Sequence, residues 1–325
     1  MRAHARELTF VLKVLPTLPS GFVDRVTGSP IIEEARYRTP SRDVTALLYR
    51  PPGSGRRPAM VLCLGVVPFG VDHPQVPRLC DALARAGFVA LIHWSETMRD
   101  RRLEPQDAED IAYAYASLLE RDDVDASRSG LYGTCVGGTF ALLAAAHPLI
   151  RDRLRFVGAF APFSSMWTLA RDIVSCSRER DGGTEPWAVD PLTREVFVRT
   201  VNHLLSPAHA RDIFEAPDAA SADAVLRALP SSARDRLDAM SPILHLTDIH
   251  APCIVFGHDR DDLVIPIGES RRLAAALAGR HGVSFTEYAM FQHADPTKRR
   301  LAPLAFVREL TRFYGSLYPM FRMTA

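Results

Sequence analysis

Residues 131–138 read Leu131-Tyr132-Gly133-Thr134-Cys135-Val136-Gly137-Gly138, and the stretch 140–146 that follows is rich in Ala and Leu. The spacing predicts a short strand over 129–133, a sharp turn at Cys135 and a helix after it. The pattern G-x-[SC]-x-G suits a nucleophile elbow, whose central residue sits in strained backbone geometry. Side chains two positions to either side would strike the neighbouring elements, so glycine fits at Gly133 and Gly137. The following helix directs its N-terminal amides and dipole at the Cys135 side chain, which favours a thiolate.

Working outward, strand and helix alternate. Val44, Ala46 and Leu48 alternate along a strand over 43–49, and a Pro- and Gly-rich turn follows at 51–55. The runs 59–64 and 88–94 are continuously apolar, as in strands buried on both faces of a parallel sheet. Between them Val76, Leu79, Cys80, Leu83 and Ala86 recur at helical spacing, and Gly87 ends that helix. Pro105 fits a first helical position, and Ile111, Tyr115, Leu118 and Leu119 form the buried stripe. Further strands are expected at 155–161, 253–257 and 284–289. Helices are expected near 270–278 and at the C-terminus, where Phe306, Leu310, Phe313 and Leu317 share a face.

The rhythm breaks over 162–247, which shows helical pieces, prolines and Gly182–Gly183 but no good strand. That is too long for a structureless loop, so a helical lid inserted above the sheet is expected. The α/β pattern then divides into an N-terminal helical segment (1–30), an α/β core (31–162 and 248–325) and a helical lid or cap (163–247). The core is a mostly parallel central sheet with helices on both faces.

Composition narrows the function. The chain has 325 residues, 47% hydrophobic and 24% charged, with a formal net charge of +1. Those values describe a globular chain and exclude a disordered, collagenous or coiled-coil one. A balance so near neutral removes the electrostatic case for nucleic acid as a partner. The five cysteines, Cys63, Cys80, Cys135, Cys176 and Cys253, are odd in number and widely spaced. They fit reduced thiols in a cytoplasmic protein better than disulfides or a zinc site. Residues 8–18 are apolar but interrupted by Lys13 and Pro16, and read as a helix packed on the domain. No transmembrane segment is expected, since no apolar run nears the ~18–20 residues that span a bilayer. Metal and dinucleotide motifs are absent, so no cofactor is expected.

A nucleophile needs a base, and the base an orienting acid. His293, just past the last expected strand, is the favoured base among eleven histidines, because catalytic groups collect at the carboxyl edge of such sheets. His258 is its main competitor, and His147 reads as structural. The acid belongs to the loop after strand 253–257, which offers Asp259, Asp261 and Asp262.

Here the chain resembles the α/β-hydrolase superfamily. Its acid loops commonly read D-x-x-[VI]-P or D-x-[VI]-[IV]-P, and Asp262 stands four residues before Pro266 in Leu263-Val264-Ile265-Pro266. The elbow, acid loop and His293 loop come in the superfamily's order. Ala239-Met240-Ser241-Pro242, leading into Ile249-His250-Ala251-Pro252, is similar to the dienelactone-hydrolase-like and peptidase-like groups. Most members carry serine at the elbow, so Cys135 is a departure. The string G-x-C-x-G-G over 133–138 is also similar to polyhydroxyalkanoate synthases. The resemblance implies an acyl-transfer enzyme with a Cys135–His293–Asp262 triad, acting on an ester, lactone or thioester. The oxyanion would be held by the amides of Val136 and Val66, with Val67 second to Val66. The loop 64–68 lacks the His-Gly common in relatives.

His93, Trp94, Phe163 and Trp167 are the expected pocket residues. The expected partner is a small-molecule acyl substrate, with carrier-bound and CoA thioesters among the candidates; a homodimer is a further candidate. Two other readings stay open at this point: an acyltransferase of natural-product or polyester assembly, and a non-catalytic binding protein with this fold.

Overall fold

The structure is a computed structural model that describes residues 2–67, 73–293 and 301–325. Eight strands form the central sheet: β1 (Ile31–Arg38), β2 (Asp43–Arg50), β3 (Ala59–Cys63), β4 (Val89–His93), β5 (Gly130–Thr134), β6 (Phe156–Phe160), and, past a small hairpin, β9 (Ile254–Asp259) and β10 (Val283–Tyr288). The hairpin is β7 (Ser177–Arg180) with β8 (Gly183–Pro186). The sheet order is β1-β2-β4-β3-β5-β6-β9-β10. β1 with β2 and β2 with β4 run antiparallel; every other pair is parallel.

The apolar runs become fully buried strands because alternate side chains enter two different cores. Val61 and Cys63 of β3 join a cluster with Ile111, Phe140 and Leu273. Met60 and Leu62 join one with Phe10, Leu83 and Phe313. The first face is covered by α5 (Gln106–Leu118), α6 (Val136–Ala145) and, later in the chain, α12 (Ile267–Ala276). The second is covered by α1 (Arg2–Val14), α3 (Gln75–Arg85) and α13 (Pro303–Met323). The expected N-terminal helix therefore packs on the domain, with Phe10 and Val11 buried and the Arg6 guanidinium 4.6 Å from the Phe88 ring centroid. Short α2 (Gly21–Thr27) and α4 (Glu96–Arg99) complete this part.

Between β6 and β9 the chain forms α7 (Met166–Val174), the β7–β8 hairpin, α8 (Pro191–Leu204), α9 (Pro207–Phe214), α10 (Ala219–Arg227) and α11 (Ser231–Ala239). The expectation of no strand in this stretch is corrected. β7 and β8 are polar and solvent-facing, so they carry no apolar alternation, and only Gly182–Gly183 marks their turn. β1 was hidden for the same reason: it is an edge strand whose Ile31, Ile32 and charged residues face outward. Pro105 caps α5 rather than entering it.

This insertion is anchored by one buried carboxylate. Glu269 on α12 accepts from the backbone of Ser164 (2.8 Å) and from Thr168 Oγ1 (2.8 Å), and pairs with Arg272. Replacing it strands several buried donors at once. Glu269→Ala is expected to cost about 3–5 kcal/mol, measured as a lowered urea midpoint. A change below about 1 kcal/mol would place the anchor elsewhere.

Candidate active site

The elbow is built by steric exclusion. Cys135 joins β5 to α6 with φ 55° and ψ −136°. A non-glycine residue there costs about 1–3 kcal/mol, held by its surroundings. A Cβ at Gly133 would stand 2.3 Å from the Gly137 carbonyl oxygen, and one at Gly137 would stand 2.3 Å from that of Cys63. Only glycine at both positions lets the turn close this tightly. The Cys135 N–H donates to the Phe160 carbonyl at 2.7 Å, which ties the turn to β6.

The acid loop wraps around a carboxylate that has no solvent contact. Asp262 Oδ1 accepts from the N–H groups of Val264 (2.7 Å) and Ile265 (3.1 Å), and Oδ2 accepts from His293 Nδ1 (2.7 Å). Burial alone would raise its pKa. The charge of His293, with hydrogen bonds from His258 and His293, outweighs that and holds Asp262 far below the usual carboxylate range. Asp259 has a different place: its carboxylate accepts from the N–H groups of Asp261 (3.0 Å) and Phe291 (2.8 Å), joining the acid loop to the His293 loop. Asp261 meets Arg180 of β7 at 2.9 Å.

His293 follows β10 with φ 54°. With Nδ1 on Asp262, the other ring nitrogen, Nε2, is the one left free of that carboxylate. Burial disfavours its cation, but the Asp262 carboxylate and the Cys135 sulfur outweigh burial and raise its pKa well above the ordinary value. His258 is fully buried beneath the acid loop, and His147 caps a turn by accepting from the Leu149 N–H at 3.2 Å.

Val136 opens α6, so its N–H has no carbonyl one turn back to bond. Val66 lines the same cavity as Cys135 and Val136, and a Cβ on neighbouring Gly65 would stand 3.1 Å from Cys135 Cβ. Val67 packs instead against the opposite core. Val66 and Val136 therefore border the cavity onto which Cys135 opens.

The cavity beside Cys135 has a volume of about 50 Å³ and a nearly all-apolar lining. Met166, Leu169 and Ile173 of α7 form one wall, Leu192, Val196 and Phe197 of α8 another, and Val264 and Ile265 a third. None of the four expected pocket residues is among them. His93 is buried against the Tyr37 hydroxyl (2.6 Å), and burial lowers its pKa to about 3. Trp94 packs on the opposite core, and Phe163 is fully buried. Trp167 lies about 100° around α7 from Met166 and donates to Asp238 (2.6 Å). The residues that do line the cavity carried a signal, since Met166, Leu169 and Ile173 recur at helical spacing. That stripe does not distinguish core from pocket.

The acid loop is also held from above. Arg178 Nη1 donates to the Asp262 carbonyl (3.0 Å), Trp187 Nε1 to that of Leu263 (3.1 Å) and Thr193 Oγ1 to that of Val264 (3.2 Å). Among the described residues there is no His/Cys/Asp/Glu cluster fit for a metal ion, and no helix is long and apolar enough to cross a membrane.

No family model matches the chain. A Bradyrhizobium protein named "Probable 2-oxo-3-(5-oxofuran-2-ylidene)propanoate lactonase" is 37% identical over 132 residues, covering 35% of this chain. The match spans half (50%) of that curated relative's own length. A Klebsiella pneumoniae structure titled "Putative Dienelactone Hydrolase" superposes with a TM-score of 0.52 at 17% identity, over 89% of this chain and 98% of its own. A Pyrococcus horikoshii acylaminoacyl peptidase superposes with a TM-score of 0.57 at 15% identity, over 93% of this chain and 41% of its own. The chain has the α/β-hydrolase fold. In an α/β-hydrolase fold the carboxyl ends of the parallel strands share one edge. Val66, Cys135, Asp262 and His293 follow β3, β5, β9 and β10 at that edge.

The thiols of this hydrolase fold differ sharply in environment. Burial raises the pKa of Cys63 and Cys80, and that of Cys253 to about 11, whereas Cys176 is exposed and Cys135 faces His293. Iodoacetamide at pH 7 is expected to label Cys135 ahead of Cys176, and the other three only after unfolding, as read by peptide mass spectrometry. Cys176 labelling first would contradict that order.

Proposed function

We propose that this chain is an acyl-transfer enzyme that hydrolyses an ester, lactone or thioester through Cys135, His293 and Asp262. The observation that carries the reading is the 2.7 Å hydrogen bond from His293 Nδ1 to a fully buried Asp262, beside an apolar cavity that Cys135 enters from a strained turn. The curated relative's name as a lactonase supports a lactone or ester as the substrate class.

The Cys135 thiolate attacks the carbonyl carbon and forms a C–S bond, and the carbonyl π electrons move to oxygen. The Val136 and Val66 amides hold that oxyanion. As the tetrahedral adduct collapses, the bond to the leaving oxygen or sulfur breaks. His293 Nε2 gives the leaving group its proton. In a lactone that group stays attached to the acyl chain. His293, now neutral, takes a proton from water, whose oxygen attacks the thioester carbon. Breaking the C–S bond returns the thiolate and releases a carboxylic acid. Asp262 keeps the ring oriented through both steps.

The acyltransferase reading uses the same steps with an alcohol or amine in place of water. The roof of α7 and α8 over the apolar cavity favours it, because excluding water suppresses hydrolysis. Product partitioning with and without an added alcohol separates the two readings.

Cys135→Ala is expected to lower turnover of p-nitrophenyl butyrate by ~10^4-fold or more. The wild-type chain, but not this variant, is expected to gain one acyl mass. Undiminished turnover in the variant would refute the reading and return the chain to a binding role or another nucleophile.

A further inference from the structure

The Asp262 carboxylate has a second imidazole that the reaction above does not use. His258, near the end of β9, is fully buried. Its Nε2 lies 2.9 Å from the Ile265 carbonyl oxygen and 3.4 Å from Asp262 Oδ2. Its Nδ1 lies 2.7 Å from Ser270 Oγ, and that hydroxyl also reaches the Pro162 carbonyl at 3.1 Å. A carbonyl and a carboxylate oxygen only accept, so Nε2 carries the proton. The ring therefore spans the acid loop from beneath, with one edge at residues 262 and 265 and the other on α12.

We propose that His258 is a positioning residue for the acid: its Nε2–H fixes the Ile265 carbonyl and lies beside Asp262 Oδ2, so that this oxygen stays aimed at His293 Nδ1. Two features of the geometry demand such a partner. Oδ1 is already taken by two amides, so Oδ2 alone must serve His293. Asp262 is fully buried, and a carboxylate oxygen with a single donor in such a place is costly. His258 offers the second donor without competing for the Cys135 side of His293. This inference rests on the triad reading of the site.

The test compares His258→Leu, which removes the donor, with His258→Gln, whose amide N–H reaches a similar position. Loss of the donor is expected to lower kcat on p-nitrophenyl butyrate by about 10-fold to 100-fold while KM holds. The glutamine variant is expected to recover roughly tenfold of that loss. A folded leucine variant with wild-type kcat, or a glutamine variant no better than the leucine one, overturns the proposal. Should the leucine variant fail to fold, histidine-selective 15N NMR of the wild-type chain decides. A proton bound at His258 Nε2 supports the assignment, and a bare Nε2 overturns it. Cys135→Ala assayed in parallel separates the two failures. If it is inactive while His258→Leu is unimpaired, only the role of His258 falls; if it is active, the triad reading falls first.

Discussion

A carboxylate sealed from water is tolerable only when its oxygens are fully engaged, and Asp262 shows how much structure that demands. Two loop amides hold one oxygen, and His293, with His258 close by, meets the other. The loop 259–266 is shaped by this requirement. The outer carbonyls of the same loop are held in turn by Arg178, Trp187 and Thr193 from the insertion. The stretch that roofs the cavity is thereby bonded to the loop that carries Asp262. The apolar cavity and the Asp262 site share one loop, because Val264 and Ile265 line the cavity while their amides hold Asp262.

The proposed nucleophile and base both sit on strained backbone. Cys135 and His293 both have φ near 55° without being glycine. Strain of this kind persists where rigid neighbours over-determine it. At Cys135 the neighbours are Gly133 and Gly137, each packed against backbone, and the hydrogen bond to Phe160. At His293 they are Phe291, whose N–H is held by Asp259, and Asp262 itself. Asp259 thus joins the acid and base loops without touching the chemistry.

The elbow was legible because its cause is local: sterics at two glycines around one residue leave few alternatives. The order of strand, acid and histidine was legible for a related reason, since apolar runs mark strands buried on both faces. What the sequence withheld was set by distant partners. Asp259, Asp261 and Asp262 are equivalent in composition, and only the folded loop shows which one meets His293. The position of Pro266 favoured Asp262 through a family resemblance, not through local physics. The cavity lining beside Cys135 was not legible, because Met166, Leu169 and Ile173 carry the same spacing as any helical core stripe. Trp167 lies beside that stripe and turns away. β1 and the β7–β8 hairpin escaped notice because their exposed polar faces carry no alternation to read.

The central claim is that Asp262, rather than Asp259 or Asp261, orients His293 for chemistry at Cys135. The most direct measurement is kcat of Asp262→Asn on p-nitrophenyl butyrate, with folding verified by circular dichroism. An asparagine keeps the shape, loses the charge and favours the wrong imidazole tautomer. The account predicts a folded protein whose kcat falls by about 10^4-fold. A folded Asp262→Asn variant that turns over at the wild-type rate would contradict it.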